Sequence, residues 1–381
     1  MVARMPLHMP AITLGAQIPG DQTVQPVRIA VAGAGQIGRR HIEMIARMPG
    51  AARLVALADP SPASMEQARQ LGVPHFTDLA DLLEADRPDG VVISSPNALH
   101  VPHALACVEA GVPSMVEKPL ADSVEAGARL CEAASKAGIP ILVGHHRLHS
   151  SIMTRAAEVV RSGVLGRIVA ATTTILFYKP DNEGYYDGPY RWRREPGGGP
   201  ILLNLIHEVG SLRALCGEIT AVQAFTSNAT RGFAVEDSAA IALRFESGAL
   251  GTVMISDTAA SDRSWEHTSG EDPRFNPGHT SRDDSCLIAG TMGSLSIPTL
   301  RVQRYLDEPG RSWHKPLAMS VIEPEQVDPL EQQMAHFVEV IRGRAEPRVS
   351  ARDGLQNLRV VQAVAQAARS GRVVEIHPAQ R

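Results

Sequence analysis

Two polar residues stand where an acid or base could work. They are Lys118, in Glu117-Lys118-Pro119, and His207, in Gly197-Gly198-Gly199-Pro200-Ile201-Leu202-Leu203-Asn204-Leu205-Ile206-His207-Glu208. A lysine partly withdrawn from water and set beside another cation has a lowered pKa and can exchange a proton with a hydroxyl or carbonyl. The alternative for Lys118 is a solvated surface amine. A lone helical histidine is more often structural, but one that follows a triple glycine and faces a cleft is a candidate acid or base. Leu205, Val209, Leu212 and Leu215 mark the buried stripe of a helix over 200–216, leaving Asn204, His207, Glu208 and Ser211 together on another face. Asn204 and His207 lie one turn apart and can reach one ligand.

Tyr178, Tyr185, Tyr186 and Tyr190, four of the chain's five tyrosines, fall in one stretch with Trp192. Aromatic faces with interleaved donors suit a sugar ring, whose C–H face is apolar and whose rim is hydroxylated. A subunit-interface loop has the same composition. Tyr178, Tyr186 and Trp192 are the candidate substrate contacts. Arg191, Arg193 and Arg194 would suit an acidic substrate, since guanidinium groups pair well with carboxylates. His145, His146 and His149 lack a neighbouring carboxylate or cysteine to complete a ligand set, so no metal site is expected there. They read as a polar loop, from which one imidazole or Arg147 is a candidate to line the cleft.

These groups need elements to position them. Val27 to Ala32 is a β-branched run, as a buried parallel strand should be, and feeds directly into Gly33-Ala34-Gly35-Gln36-Ile37-Gly38. Ile37, Ile42, Ile45 and Ala46 then recur at helical spacing. In this strand–turn–helix, Gly33 permits the tight turn, Gly35 lets the backbone approach a pyrophosphate, and Gly38 lets the helix pack close to the strand. The helix N-terminus faces the phosphates, with Gln36 and Ile37 in its first turn. A second apolar run ends at Asp59, where a carboxylate would accept from the ribose hydroxyls and repel a 2′-phosphate. Pro60, Ser61 and Pro62 add no cation, so the sequence favours NAD over NADP. Ser95-Pro96-Asn97, with His100 beyond, follows the strand at 90–94, and Glu117-Lys118 follows the strand at 113–116. Both lie at the carboxyl edge where ligands of an open α/β sheet bind, so Ser95, Pro96, Asn97, His100, Glu117 and Lys118 are candidate cofactor contacts.

Strands and helices alternate from 27 to 146, which predicts a doubly wound parallel sheet. From about 167 the longer alternating runs predict a mainly antiparallel sheet, so the fold class is α/β, with an α+β second unit. The expected division is an arm at 1–26, a dinucleotide-binding domain at 27–146, and a substrate and oligomerisation domain at 147–381, with closing helices at 328–343 and 351–370. The stretch 257–284 reads as a long loop, of the kind that forms lids or subunit contacts. At 381 residues the chain is large enough for two cores. Its net charge of −4 gives no basic patch for nucleic acid, and no apolar run approaches the length of a membrane span. The expected setting is cytoplasmic. Cys107, Cys131, Cys216 and Cys286 show neither metal nor disulfide spacing.

Taken together, Gly33 to Gly38 with His41, Ser95-Pro96-Asn97 with His100, Glu117-Lys118-Pro119, and the triple glycine leading to His207 resemble the Gfo/Idh/MocA oxidoreductases. The resemblance runs from Val27 to about Arg372. It implies a Rossmann domain that binds NAD(H) or NADP(H) and a C-terminal domain whose open sheet mediates oligomers, here a homodimer or homotetramer. It also implies oxidation of a secondary alcohol of a sugar, sugar acid or cyclitol, or the reverse, with Lys118 and His207 in the catalytic roles. The family usually carries an aspartate one turn before the histidine and another three residues after it; here those positions hold Leu203 and Gly210. Asn204 can orient a hydroxyl but cannot accept a proton at neutral pH. Two other functions share this fold: a glycoside-cleaving enzyme that uses bound NAD in a transient oxidation, and a sensor that has lost catalysis.

Overall fold

The computed structural model describes residues 25–272, 274 and 283–377, so the expected arm lies almost wholly outside the described residues, as does part of the loop at 257–284. The first unit runs β1 (Val27–Ala32), α1 (Gln36–Ala46), β2 (Ala52–Ala58), α2 (Pro62–Leu71), β3 (His75–Phe76), α3 (Leu79–Ala85), β4 (Gly90–Ile93), α4 (Asn97–Ala110), β5 (Ser114–Glu117), α5 (Val124–Ala137) and β6 (Ile141–Gly144). The strands form one parallel sheet in the order β3-β2-β1-β4-β5-β6. Order reverses between β1 and β4, and a ligand crevice opens at such a switch point beyond the carboxyl ends of the strands. Strand β3 was not expected, because two residues carry no period.

The second unit contains α6 (Ser151–Arg161), β7 (Ile168–Leu176), α7 (Ile206–Cys216), β8 (Ile219–Ser227), β9 (Ser238–Phe245), β10 (Leu250–Ser256) and α8 (Trp265–Thr268). It continues with β11 (Cys286–Gly290), β12 (Gly293–Ile297), β13 (Arg301–Arg304), β14 (Ala318–Val321), α9 (Pro329–Ile341), α10 (Ala351–Ser370) and β15 (Val374–Glu375). Nine strands form a sheet in the order β14-β13-β12-β11-β7-β10-β9-β8-β15, antiparallel except where β7 meets β10. Period-2 alternation is clear in β10, where Gly251, Val253 and Ile255 are buried and Leu250, Thr252 and Met254 face out. The inner face packs under α6, α7 and α10. Among the described residues the outer face carries no helix, and it exposes Val169, Phe225, Leu250, Met254 and Leu287.

The closing helices fasten the units together. Leu330, Met334 and Phe337 of α9 pack against Val27, Ile29 and Leu57 of the first sheet. Leu355 and Leu358 of α10 sit in the first core, while Val360, Val361 and Val364 sit in the second. Ser350 and Asp353 form a capping box at the start of α10. No helix among the described residues is long and apolar enough to cross a membrane.

Candidate active site

The glycine turn closes tightly on one side and stays open on the other. Gly33 has φ +90°, and a Cβ there would lie 2.5 Å from the Ser95 amide nitrogen; one on Gly38 would lie 2.0 Å from the Gly33 carbonyl oxygen. A Cβ on Gly35 would meet nothing within 4 Å. Helix α1 begins with neither a side-chain cap nor an acidic residue in its first turn, so its leading amides are left for an anion. Asp59 receives the Ala34 amide at 2.8 Å and the Ser61 amide at 2.8 Å. Burial alone would raise its pKa, but the bonds from Ser61, Ala34 and Ser64 bring it below the ordinary value. Its carboxylate therefore buttresses the turn as well as standing at the end of β2.

At the end of β5, Glu117 is buried against His41 Nε2 at 2.8 Å and accepts from the Lys118 amide at 3.1 Å. Burial would raise the pKa of Glu117, yet the His41 bond and the neighbouring His41, Lys118 and His146 hold it at about 2. Lys118 extends to the Leu203 carbonyl, 3.1 Å from Nζ. Burial lowers its pKa, with Glu117 pulling the other way. His100 was expected to touch cofactor. Instead it is buried with Nδ1 2.7 Å from the Pro119 carbonyl and Nε2 2.9 Å from the Ser95 carbonyl, tying the two ligand-edge loops together.

The triple glycine leads into a π turn over Ile201–Leu205 before α7 begins. An i→i+5 turn adds a residue to the helix and re-aims its carbonyls and side chains, and such turns gather at functional sites. Here it offers the Leu203 carbonyl to Lys118 and the Asn204 side chain to Lys179, whose Nζ donates to Oδ1 at 2.7 Å. His207 and Glu208 were expected on a face away from the buried stripe; both are buried, because α7 lies between its own sheet and the His145–His149 segment. The His207 ring contacts those of His145 and His146 edge-on, at 5.7 and 5.2 Å between centroids. Its Nδ1 is enclosed without a hydrogen-bond partner among the described residues. Burial, then the charges of Lys118 and Arg147, push its pKa well below the usual imidazole value. His207 is thus neutral at neutral pH.

Two expected substrate contacts are engaged elsewhere. Arg147 is buried and bonds both Glu208 and Glu266, and the Glu208 carboxyl is pushed up to about 7 by burial despite that partner. The Tyr186 hydroxyl donates to Asp257, and the Arg231 guanidinium lies 4.7 Å over its ring. Tyr178 and Trp192 are exposed, at 61% and 44%, as is Arg191. Lys179 and Tyr185 were not singled out from sequence. Lys179 Nζ sits 3.9 Å over the Tyr185 ring and 4.8 Å over Phe177. A signal was present: Lys179-Pro180 follows β7 as Lys118-Pro119 follows β5.

The family model described as the oxidoreductase family, NAD-binding Rossmann fold, matches residues 27–145, and that of its C-terminal alpha/beta domain matches 157–376. The chain belongs to the Gfo/Idh/MocA oxidoreductase family. The scyllo-inositol 2-dehydrogenase (NAD(+)) of Bacillus subtilis is 29% identical over 364 residues, covering 92% of this chain and 96% of that protein. The 1,5-anhydro-D-fructose reductase of Ensifer adhaerens is 25% identical, covering 92% and 98%. Among solved structures, the WlbA dehydrogenase of Bordetella pertussis, in complex with NADH and UDP-GlcNAcA, aligns with a TM-score of 0.74 at 25% identity, covering 92% of this chain and 99% of that one.

The protein is therefore an oxidoreductase with an NAD-binding Rossmann domain. The open space over Gly35 and the uncapped amides of α1 fit a dinucleotide pyrophosphate, and Asp59 stands beside that turn at the end of β2.

Proposed function

We propose that this oxidoreductase interconverts a secondary alcohol and a ketone on a cyclic polyol or sugar derivative, with His207 and Lys118 handling the hydroxyl proton. The observation that carries the reading is the convergence of a neutral, unpartnered His207 and a pKa-lowered Lys118 on the same short turn at the carboxyl edge of β5. NAD, when bound, supplies the hydride acceptor or donor. The turn Gly33–Gly38, Asp59 and the Ser95-Pro96-Asn97 loop would hold it, and His100 supports this edge by fixing Ser95 to Pro119.

In the oxidising direction, His207 Nε2, the nitrogen not enclosed, takes the hydroxyl proton as the carbinol carbon loses hydride. Lys118 Nζ donates a hydrogen bond to the same oxygen, stabilising negative charge as it develops. Asn204 cannot act as a base; its amide orients a neighbouring hydroxyl. Glu117, held ionised by His41, steadies the backbone of Lys118 and opposes the burial that lowers its pKa.

The exposed apolar residues on the outer face of the second sheet support pairing of two copies through that face. The four free cysteines suit a reducing compartment such as the cytoplasm.

The test is a spectrophotometric screen with NAD, then NADP, against inositols, aldoses, uronates and glycosides, with products weighed by mass spectrometry. Substrate-dependent NADH supports the reading, while glycoside cleavage without net NADH, or no reaction at all, overturns it.

A further inference from the structure

Only four of the chain's 37 Lys and Arg residues are lysine: Lys118, Lys136, Lys179 and Lys315. Two of the four stand at the reaction centre. Lysine is a compact point charge whose proton state responds to its surroundings, whereas arginine stays charged. Lys179 projects beneath the aromatic segment, with its Nζ over the Tyr185 ring and donating to Asn204 Oδ1. Arg193 lies 4.2 Å over the same ring and donates to the Tyr185 carbonyl at 3.1 Å, while its buried Nε has no partner among the described residues.

Two basic side chains thus stack on one tyrosine, and among the described residues no carboxylate oxygen lies within 4.0 Å of either. The acids in the neighbourhood are engaged elsewhere. Glu208 and Glu266 bond Arg147, Asp257 bonds Arg231 and Tyr186, and Glu117 bonds His41. A cation cluster without a counter-ion is costly in the free protein and is relieved when a ligand brings the anion.

The geometry points to Lys179 and Arg193 as an anion subsite that selects a carboxylate-bearing substrate, such as a uronate or a carboxylated cyclic diol, with Tyr185 holding the two basic side chains side by side. This rests on the reaction centre described above and deepens it. The acid-binding role moves from Arg191 and Arg194 to this pair, because Arg191 is exposed and Arg194 is engaged with the Tyr186 and Asp181 carbonyls and the Phe233 ring.

The electrostatics agree. Burial lowers the Lys179 pKa to about 7; Asp257 and Glu266 pull it up, and Arg193 and Arg231 push it down. Lys118, Tyr185, Phe177 and Asn204 complete its surroundings. A bound carboxylate would raise it.

Two measurements test this. The first compares kcat/KM for uronates with that for their parent neutral aldoses, in the enzyme with NAD and in Lys179→Arg, Lys179→Met and the Lys179→Met/Arg193→Met double variant. The expected result is at least a roughly tenfold preference for the acid. That preference should be kept in Lys179→Arg and lost in the double variant through KM. A preference for the neutral partner, or one that survives the double variant, overturns the inference.

The second uses ε-13C-lysine labelling of the NADH complex. Four lysines give four signals, and Lys179→Arg identifies the relevant one. Its titration midpoint should rise with D-glucuronate or D-galacturonate and not with D-glucose; a midpoint unmoved by both acids overturns the inference. If no compound in the panel is turned over, the proposed reaction fails, and the NMR titration still decides the anion subsite.

Discussion

Two glycine-rich loops each open a helix in this protein, and they end in opposite conditions. The first leads into α1 with no side chain at its cap and open space above Gly35. The second leads into α7 through a π turn, and its leading amide, on Ile201, is taken at 2.8 Å by the Glu236 carboxylate. Each helix also carries a buried histidine. His41 on α1 is paired with Glu117, whereas His207 on α7 faces other imidazoles and has no hydrogen bond among the described residues. Occupancy separates architecture from function here. On the proposed function, the open cap and the imidazole without a hydrogen bond are the groups that meet cofactor and substrate, while the filled cap and the paired imidazole hold the chain in place.

The comparison breaks first if His207 proves dispensable. His207→Ala is expected to lower kcat by about 10²–10⁴ and Lys118→Met by a similar factor, the range that a lost general acid or base commands. NADH affinity, followed by fluorescence, should stay within a few-fold of wild type, since neither residue is placed to hold the pyrophosphate. A normal kcat in His207→Ala would remove the distinction between the two histidines.

The paired histidine should show itself in stability. With the Glu117 pKa at about 2 when folded and near 4.5 when unfolded, its contribution is complete above 4.5 and is lost as pH falls from 4.5 toward 2. The shift is worth on the order of 3 kcal/mol. Glu117→Gln should therefore flatten the acid limb of a denaturation profile over that window, and an unchanged limb would mean that the His41 contact contributes nothing.

The glycines sharpen the contrast. Gly38→Ala drives a methyl into the Gly33 carbonyl and should cost about 1–3 kcal/mol as well as NADH affinity. Gly35→Ala meets no atom within 4 Å among the described residues and should leave Tm unchanged while weakening NADH about tenfold, since on the proposed function its methyl enters the space where the pyrophosphate would lie. Gly199, at φ +79° with a Cβ position 2.7 Å from Glu236 Oε1, should behave oppositely on substitution by Ala: about 1–2 kcal/mol less stable, with NADH affinity kept.

What could be read from sequence follows from the range of each interaction. The strand–glycine–helix of the first loop, Glu117-Lys118-Pro119 and the glycine run before His207 are local patterns, and each signals its element within a dozen residues. Arg147 and Tyr186 were misread as ligand contacts because their partners lie far away in sequence: Glu208 and Glu266 for the first, Asp257 and Arg231 for the second. Lys179 was passed over for the same reason, since its importance comes from Asn204 and Tyr185, which only tertiary folding brings to it. The π turn has no signature in a helical hydrophobic period, and it is what turns Leu203 and Asn204 toward the two lysines.

The smallest expected effect concerns the filled cap. Burial raises the pKa of Glu236, the Ile201 amide opposes that rise, and Asp257 and Asp237 add to it. A carboxyl with a raised folded pKa contributes stability below its unfolded value, and loses it as pH rises through the folded one. Glutamine is neutral at every pH and its side-chain oxygen can still accept from Ile201. Glu236→Gln should accordingly be slightly more stable than wild type at pH 8, by less than about 1 kcal/mol, and lose that advantage on acidification. Glu236→Ala, which leaves the amide without an acceptor, should be about 1 kcal/mol less stable than Glu236→Gln at both acid and alkaline pH. Thermal denaturation of the three proteins at pH 5 and pH 8 separates the cases. If Gln and Ala lose equally, the carboxylate serves through its charge at the head of the helix, and the second glycine loop is an anion site that the protein fills with its own side chain.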